Sequence, residues 1–259
     1  MKIITLGTSH GDSTYCRFNS STAYQTEDGV VYLVDAGAPV EALMKRKGLS
    51  ISNVRAVFIT HMHDDHAGGL TGLLKQIIKY PQGRTFPVSI HFPEERGISA
   101  FKNWFSSLHE PADHASVEYV GVDDGLIYED EALAVTAIRT EHLRTRGRTE
   151  GDPCSFAYVL HFKKEEKWIL HTGDLRRDFS DFPKISGQQH FDVCLCEATH
   201  YRPEAAADML TKARFDRLIF IHIGDRWHDF REGEDALLAY CKDYPYPVTV
   251  AHDGDEFNL

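Results

Sequence analysis

Val54-Arg55-Ala56-Val57-Phe58-Ile59-Thr60-His61-Met62-His63-Asp64-Asp65-His66-Ala67-Gly68-Gly69 is the stretch that decides how this chain folds. Val54–Ile59 is an apolar run of strand length, bounded by polar residues, and reads as a buried strand. Directly after it come the imidazoles of His61, His63 and His66 and the carboxylate of Asp65. Ala67-Gly68-Gly69 then lets the backbone turn into a helix. The polar side chains therefore sit on a short loop at the carboxyl end of a strand, where α/β proteins place their sites. Neutral imidazole nitrogens and carboxylate oxygens are donors for a divalent hydrolytic metal. A solvated histidine-rich loop is the plain alternative, but His-x-His-x-Asp-His is a far more constrained pattern than scattered histidine.

Outward from the loop, Leu70, Leu73, Leu74, Ile77 and Ile78 recur at the spacing of a helix buried on one side. Upstream, 1–6 and 30–34 read as strands, the second ending in Asp35-Ala36-Gly37, and a helix over 39–47 stops at Gly48. Downstream, a strand is expected over 88–92 and a helix over 94–108 with Trp104 and Phe105 turned inward. The second half repeats the theme. Strands are expected at 117–120, 133–138, 156–162, 168–171, 193–196, 218–221 and 248–251, with helices over 203–213 and 234–241. Pro203 suits a first helical position. Many short strands with interspersed helices imply an α/β (α+β) chain with two sheets stacked face to face and helices outside, expected as a single domain over 1–259. A split near residue 120 would then be internal pseudo-symmetry.

The 259 residues suffice for a substantial core, and 42% hydrophobic with 26% charged residues is the composition of a soluble globular protein. No apolar run reaches bilayer-spanning length, and the first residues read as a strand, not a secretory signal, so a cytoplasmic protein without a membrane partner is expected. Cys16, Cys154, Cys194, Cys196 and Cys241 lack paired metal-ligand spacing and fit free thiols. A net charge of −11 argues against a long nucleic-acid partner, because phosphate binding needs cationic surface. A small anion held by a local arginine cluster is compatible with it.

With these motifs in place, the chain resembles the metallo-β-lactamase superfamily, closest to the branch of tRNase Z and the cyclic phosphodiesterases. The matching motifs come in the family's order. They are Asp35 in Leu33-Val34-Asp35-Ala36-Gly37, the loop of His61, His63, Asp65 and His66, His142 in Thr140-Glu141-His142, Asp174 in His171-Thr172-Gly173-Asp174, and His222 in Phe220-Ile221-His222. The tail Ala251-His252-Asp253-Gly254 looks like the closing strand and turn of that branch. The resemblance implies a four-layer αββα sandwich and two divalent metal ions, zinc first, manganese or iron otherwise. It gives His61, His63 and His142 to one ion and Asp65, His66 and His222 to the other, with Asp174 shared and Asp35 supporting the loop. Two such ions sharpen a bridging water into a nucleophile, which Asp65 is placed to orient. His161 and His171, the rivals of His142, lie inside expected strands, and His228 and His252, the rivals of His222, do not end an apolar strand.

Glu197-Ala198-Thr199-His200 precedes an alanine-rich helix. In tRNase Z-like enzymes a similar segment supports a histidine that protonates the leaving oxygen, which implies His200 as general acid with Glu197 behind it. An ordinary helix-entry pair is the plain alternative. Arg144, Arg146 and Arg148 follow His142, and Arg176 and Arg177 follow Asp174; Arg146 and Arg148 are the first candidates for binding an anionic substrate. Only about 30 residues separate His142 from Asp174, too few for the tRNA-gripping arm of tRNase Z.

The expectation is therefore a dinuclear metal-dependent hydrolase of a small or cyclic phosphodiester, with no long nucleic acid as partner. A carboxylic-ester, lactone or thioester hydrolase on the same metals is the alternative enzyme. A metal-dependent binding or sensing protein without turnover is the alternative outside catalysis.

Overall fold

The computed structural model describes residues 1–12, 14–81, 86–143, 153–228 and 231–259. They form two compact units, one of Met1–Val122 with His252–Leu259 and one of Asp123–Ala251. In the first, seven strands lie in the order Asp255–Asn258, Lys2–Gly7, Ser21–Gln25, Val31–Val34, Val54–Phe58, Val88–Phe92, Val117–Gly121. The first four pair antiparallel, and the run from Val31–Val34 onward is parallel. Parallel strands need crossovers, and helices Val40–Arg46, Leu70–Lys79 and Glu95–Ser107 lie between them in sequence. Val54, Ala56, Val57 and Phe58 are all fully buried, so both faces of that strand are covered, as its unbroken apolar run requires. Val57 and Ile59 join Leu70, Leu73, Leu74 and Ile77 in one core.

The second unit holds seven strands in the order Val248–Val250, Leu218–Ile223, Val193–Ala198, Lys167–His171, Ser155–Phe162, Leu133–Thr140, Gly125–Glu129. Its first four strands are parallel and the remaining pairs antiparallel. Helices Pro203–Lys212 and Glu234–Tyr240 cover it, with Ala206, Leu210 and Leu237 in its core beside Cys194, Cys196 and Phe220. All five cysteines are free thiols. Cys194 and Cys196 are buried, and burial pushes both thiols well above the usual range, which makes them inert packing residues.

Most expected elements are present, with differences that have physical causes. Strand Ser21–Gln25 is unexpected because its residues are largely polar, yet Ser21–Tyr24 are buried between two neighbouring strands. Gly125–Glu129 is an edge strand whose Leu126 stays exposed. Trp104 was expected inward and is 58% exposed. The buried stripe of its helix runs through Gly97, Phe101 and Phe105 at four-residue spacing, which leaves Trp104 on the flank. Among the described residues no helix is long and apolar enough to cross a membrane.

Candidate metal centre

In the first unit, the strand carrying the histidine loop is held one residue beyond Phe58 by Ile59 N–H donating to His91 O at 3.0 Å. The chain then turns, and the carboxylate of Asp35 takes up the turn. It accepts from Thr60 N at 2.8 Å, from the Thr60 hydroxyl at 3.0 Å and from His66 Nδ1 at 2.7 Å. A carboxylate can only accept here, so His66 carries its proton on Nδ1 and turns an unprotonated Nε2 outward, 3.2 Å from Asp65 Oδ2. His61 Nε2 and His63 Nδ1 approach to 2.9 Å. Two pairs of donor atoms thus converge on one short loop.

Asp35 itself has φ 60°, in the left-handed region that aspartate tolerates. Burial pushes its carboxyl up, while His66 and Thr60 pull it back toward the charged form. Gly37, two residues on, has no room for a side chain: a Cβ would lie 2.3 Å from Asp65 O and 2.7 Å from Asn19. Asp253, in the tail singled out by sequence, accepts from Thr8 N, the Thr8 hydroxyl and Phe18 N, and so ties the loop after the first strand to the last turn.

In the second unit, Asp174 follows strand Lys167–His171 and is buried. His222 is a residue of strand Leu218–Ile223, also with positive φ, 50°, and its Nε2 lies 3.0 Å from Asp174. Thr199 Oγ1 donates to the His222 carbonyl, and Gly224 leaves space beside Thr199. His142 donates from Nδ1 to Leu175 O at 3.2 Å, and its Nε2 lies 3.7 Å from Asp174 Oδ2. Burial lowers the pKa of His142 against the pull of Asp174, which favours the neutral, ligating imidazole. Asp174, His200 and His222 bring one donor atom each to within 4.8 Å of one another, a grouping able to hold a metal ion.

Glu197 is buried and accepts from Leu175 N at 2.8 Å, from Thr199 N and His200 N at 2.9 Å, and from His200 Nδ1 at 3.1 Å. It clamps the segment after Asp174 to the segment bearing His200. Asp181, which sequence reading missed, takes Arg176 N at 2.9 Å and Glu141 N at 2.8 Å, fixing the segment before His142. No local pattern marks it, since it accepts from backbone N–H groups five and forty residues away and no side-chain pattern announces such contacts.

A cavity of about 370 Å³ is lined by His142, Leu175, Arg176, Arg177, Asp178 and His200. Of the rival histidines, His161 stacks on Trp168 at 3.9 Å and His252 is exposed beside Asp255. Arg144, Arg146 and Arg148 lie outside the described residues.

The fold extends to known proteins. Human tRNase Z, short form, superposes with TM-score 0.74 at 22% identity, covering 100% of this chain and 99% of that one. A diphosphatase of the PhnP family gives 0.70 at 20% identity, covering 100% and 97%. In sequence, a ribonuclease Z from Gloeothece citriformis is 34% identical over 143 residues, 55% of this chain and 44% of that protein. The chain spans about half the length of the curated relatives it matches. The chain shares the metallo-β-lactamase fold, as in the YhfI protein of that fold from Bacillus subtilis, which superposes with TM-score 0.76 at 16% identity, covering 99% of each chain. Residues 1–237 match the family described as Anti-Pycsar protein Apyc1, and the chain belongs to that family.

One expectation is overturned. Sequence reading excluded a long nucleic-acid partner, yet the relatives are ribonucleases by name, tRNase Z among the structural ones. The exclusion used a charge summed over the whole surface, whereas a polynucleotide end responds to the local field at a site. The missing arm likewise rules out only one way of gripping RNA.

Proposed function

We propose that this chain is a dinuclear metal-dependent phosphodiesterase acting on a small or cyclic phosphodiester. The donor types, five imidazoles and two carboxylates, suit divalent ions, zinc foremost, and His66 and His142 are each held through Nδ1, which leaves Nε2 as the nitrogen able to ligate. His61, His63 and His142 would hold one ion, Asp65, His66 and His222 the second, and Asp174 both. When bound, such ions supply positive charge for the phosphoryl oxygens and lower the pKa of a water molecule. Asp65 would orient that water.

The observation that carries the reading is the His200–Glu197 pair on the same cavity as His142 and two arginines. Glu197 holds His200 through Nδ1, leaving Nε2 to carry a proton toward the departing oxygen. An alkoxide expelled from phosphorus needs that proton, whereas a thiolate expelled from a thioester leaves readily without one. A guanidinium on the cavity wall suits phosphoryl oxygens, and the cavity has the size of a small-ligand site. The test is a substrate panel for the metal-loaded protein: cyclic nucleotides, bis(p-nitrophenyl) phosphate, a precursor tRNA transcript, a lactone and a thioester. Turnover of the cyclic or small diesters is expected. A metal-replete protein that leaves every phosphodiester intact and opens the lactone or thioester would replace this reading with the carbonyl-hydrolase one.

A further inference from the structure

Resting on the phosphodiesterase reading, the geometry points to Arg177 as the residue that recognises a phosphoryl group of the substrate. Asp174-Leu175-Arg176-Arg177-Asp178-Phe179-Ser180-Asp181 is pinned at several points. Leu175 N donates to Glu197, Leu175 O accepts from His142, Arg176 N donates to Asp181, and Phe179 N closes a turn onto Arg176 O at 2.9 Å. Phe179 is buried with φ 59°, which fixes the turn from its far side. Arg177 and Asp178 are the two central residues of that turn, so a rigid backbone presents them at the cavity.

The two arginines of the turn differ in what they already hold. Arg176 donates to Asp178 at 3.2 and 3.4 Å and lies 3.6 Å from Glu141. Asp178 is engaged in return: Ser180 and Arg176 hold its carboxyl down at about 2. Asp181 is occupied by two backbone N–H groups. The carboxylates of this segment are therefore satisfied without Arg177. Among the described residues the Arg177 guanidinium has no hydrogen-bond or ion-pair partner, and it lines the cavity that also contains His142 and His200. An uncommitted, planar, bidentate cation on a rigid turn, three residues from a metal-ligating carboxylate, matches a phosphoryl group better than a single-point anion. It would act by positioning substrate, since a guanidinium stays protonated and is no general acid or base.

The experiment compares wild type, Arg177→Ala, Arg177→Lys and Arg176→Ala as metal-loaded proteins. Calorimetric binding of a 5′-nucleoside monophosphate and of inorganic phosphate, with chloride as the single-point anion control, is paired with steady-state kinetics on a phosphodiester. Loss of one charge-assisted contact pair predicts that Arg177→Ala weakens nucleotide and phosphate binding about 10-fold or more and raises KM comparably, with kcat within about 3-fold. Arg177→Lys should recover part of the affinity, and chloride binding should be indifferent to all variants. Arg177 is exposed, so its two variants keep the wild-type unfolding midpoint. Phosphate affinity unchanged in Arg177→Ala, or reduced only in Arg176→Ala, overturns the assignment. If wild type turns over no phosphodiester, the functional reading fails, and the binding data still judge Arg177 independently.

Discussion

Replacing Asp35 separates two duties that its carboxylate performs at once. Asp35→Ala leaves the Thr60 N–H and the His66 Nδ1–H buried without an acceptor. Each orphaned donor costs about 1–3 kcal/mol. Alanine at φ 60° adds about 1 kcal/mol of backbone strain. The expected loss of stability is about 5 kcal/mol, a large part of the total for a domain of this kind. Asp35→Asn is gentler, because asparagine tolerates the left-handed conformation and its carbonyl oxygen still accepts from Thr60 N. Its NH₂, however, faces His66 Nδ1 and forces that nitrogen to accept. The proton then moves to Nε2, which can no longer ligate. Stability should fall by only about 1–2 kcal/mol, while metal affinity falls roughly 10–100-fold. Urea unfolding of the metal-free proteins measures the first quantity, and competition with a chromophoric chelator the second. An Asp35→Asn protein that binds zinc as tightly as wild type would show that the His66 tautomer is not set by Asp35.

Four further outcomes follow from the same geometry. His200→Ala should lower kcat on a phosphodiester about 10²–10⁴-fold with metal content unchanged, and a variant that keeps full turnover removes His200 from the reaction. Gly37→Ala would push a methyl group into the Asp65 carbonyl and Asn19; a loss of about 1–3 kcal/mol in urea unfolding is expected, and an unshifted midpoint would show that the loop yields freely. Burial lowers the pKa of His91 to about 4. The unfolded chain takes up this proton near pH 6.5 and the folded chain does not, so stability is full above pH 6.5 and falls by about 3 kcal/mol as pH drops toward 4. His91→Phe should flatten that limb, and an identical pH profile refutes the assignment. Stripping metal with a chelator should lower the thermal midpoint, and zinc should restore it in proportion to the logarithm of its free concentration; coincident midpoints with and without metal would argue against a bound ion.

How far the sequence could be read depended on whether the relevant physics was local. His61, His63, Asp65 and His66 lie on six residues behind an apolar strand, so their convergence is a matter of spacing, and helix Leu70–Lys79 declares its buried face by period alone. Glu197 and His200 are three residues apart, and the pair meets as a short turn allows. His142 was chosen over His161 through motif order and because His161 lies inside a strand, and its setting against Leu175 and Asp174 depends on contacts more than thirty residues away. Asp181 was invisible because its partners are backbone N–H groups, one five and the other forty residues away, which no side-chain pattern announces. Strand Ser21–Gln25 was missed because its burial comes from its neighbours, not from its own hydrophobicity. The two arginines after Asp174 show the limit most clearly. Adjacent and chemically identical in sequence, they part only when Asp178 and Glu141 are seen to occupy Arg176. Which charges a fold has already neutralised is a property of tertiary structure, and a net charge of −11 could no more distinguish those arginines than it could exclude RNA.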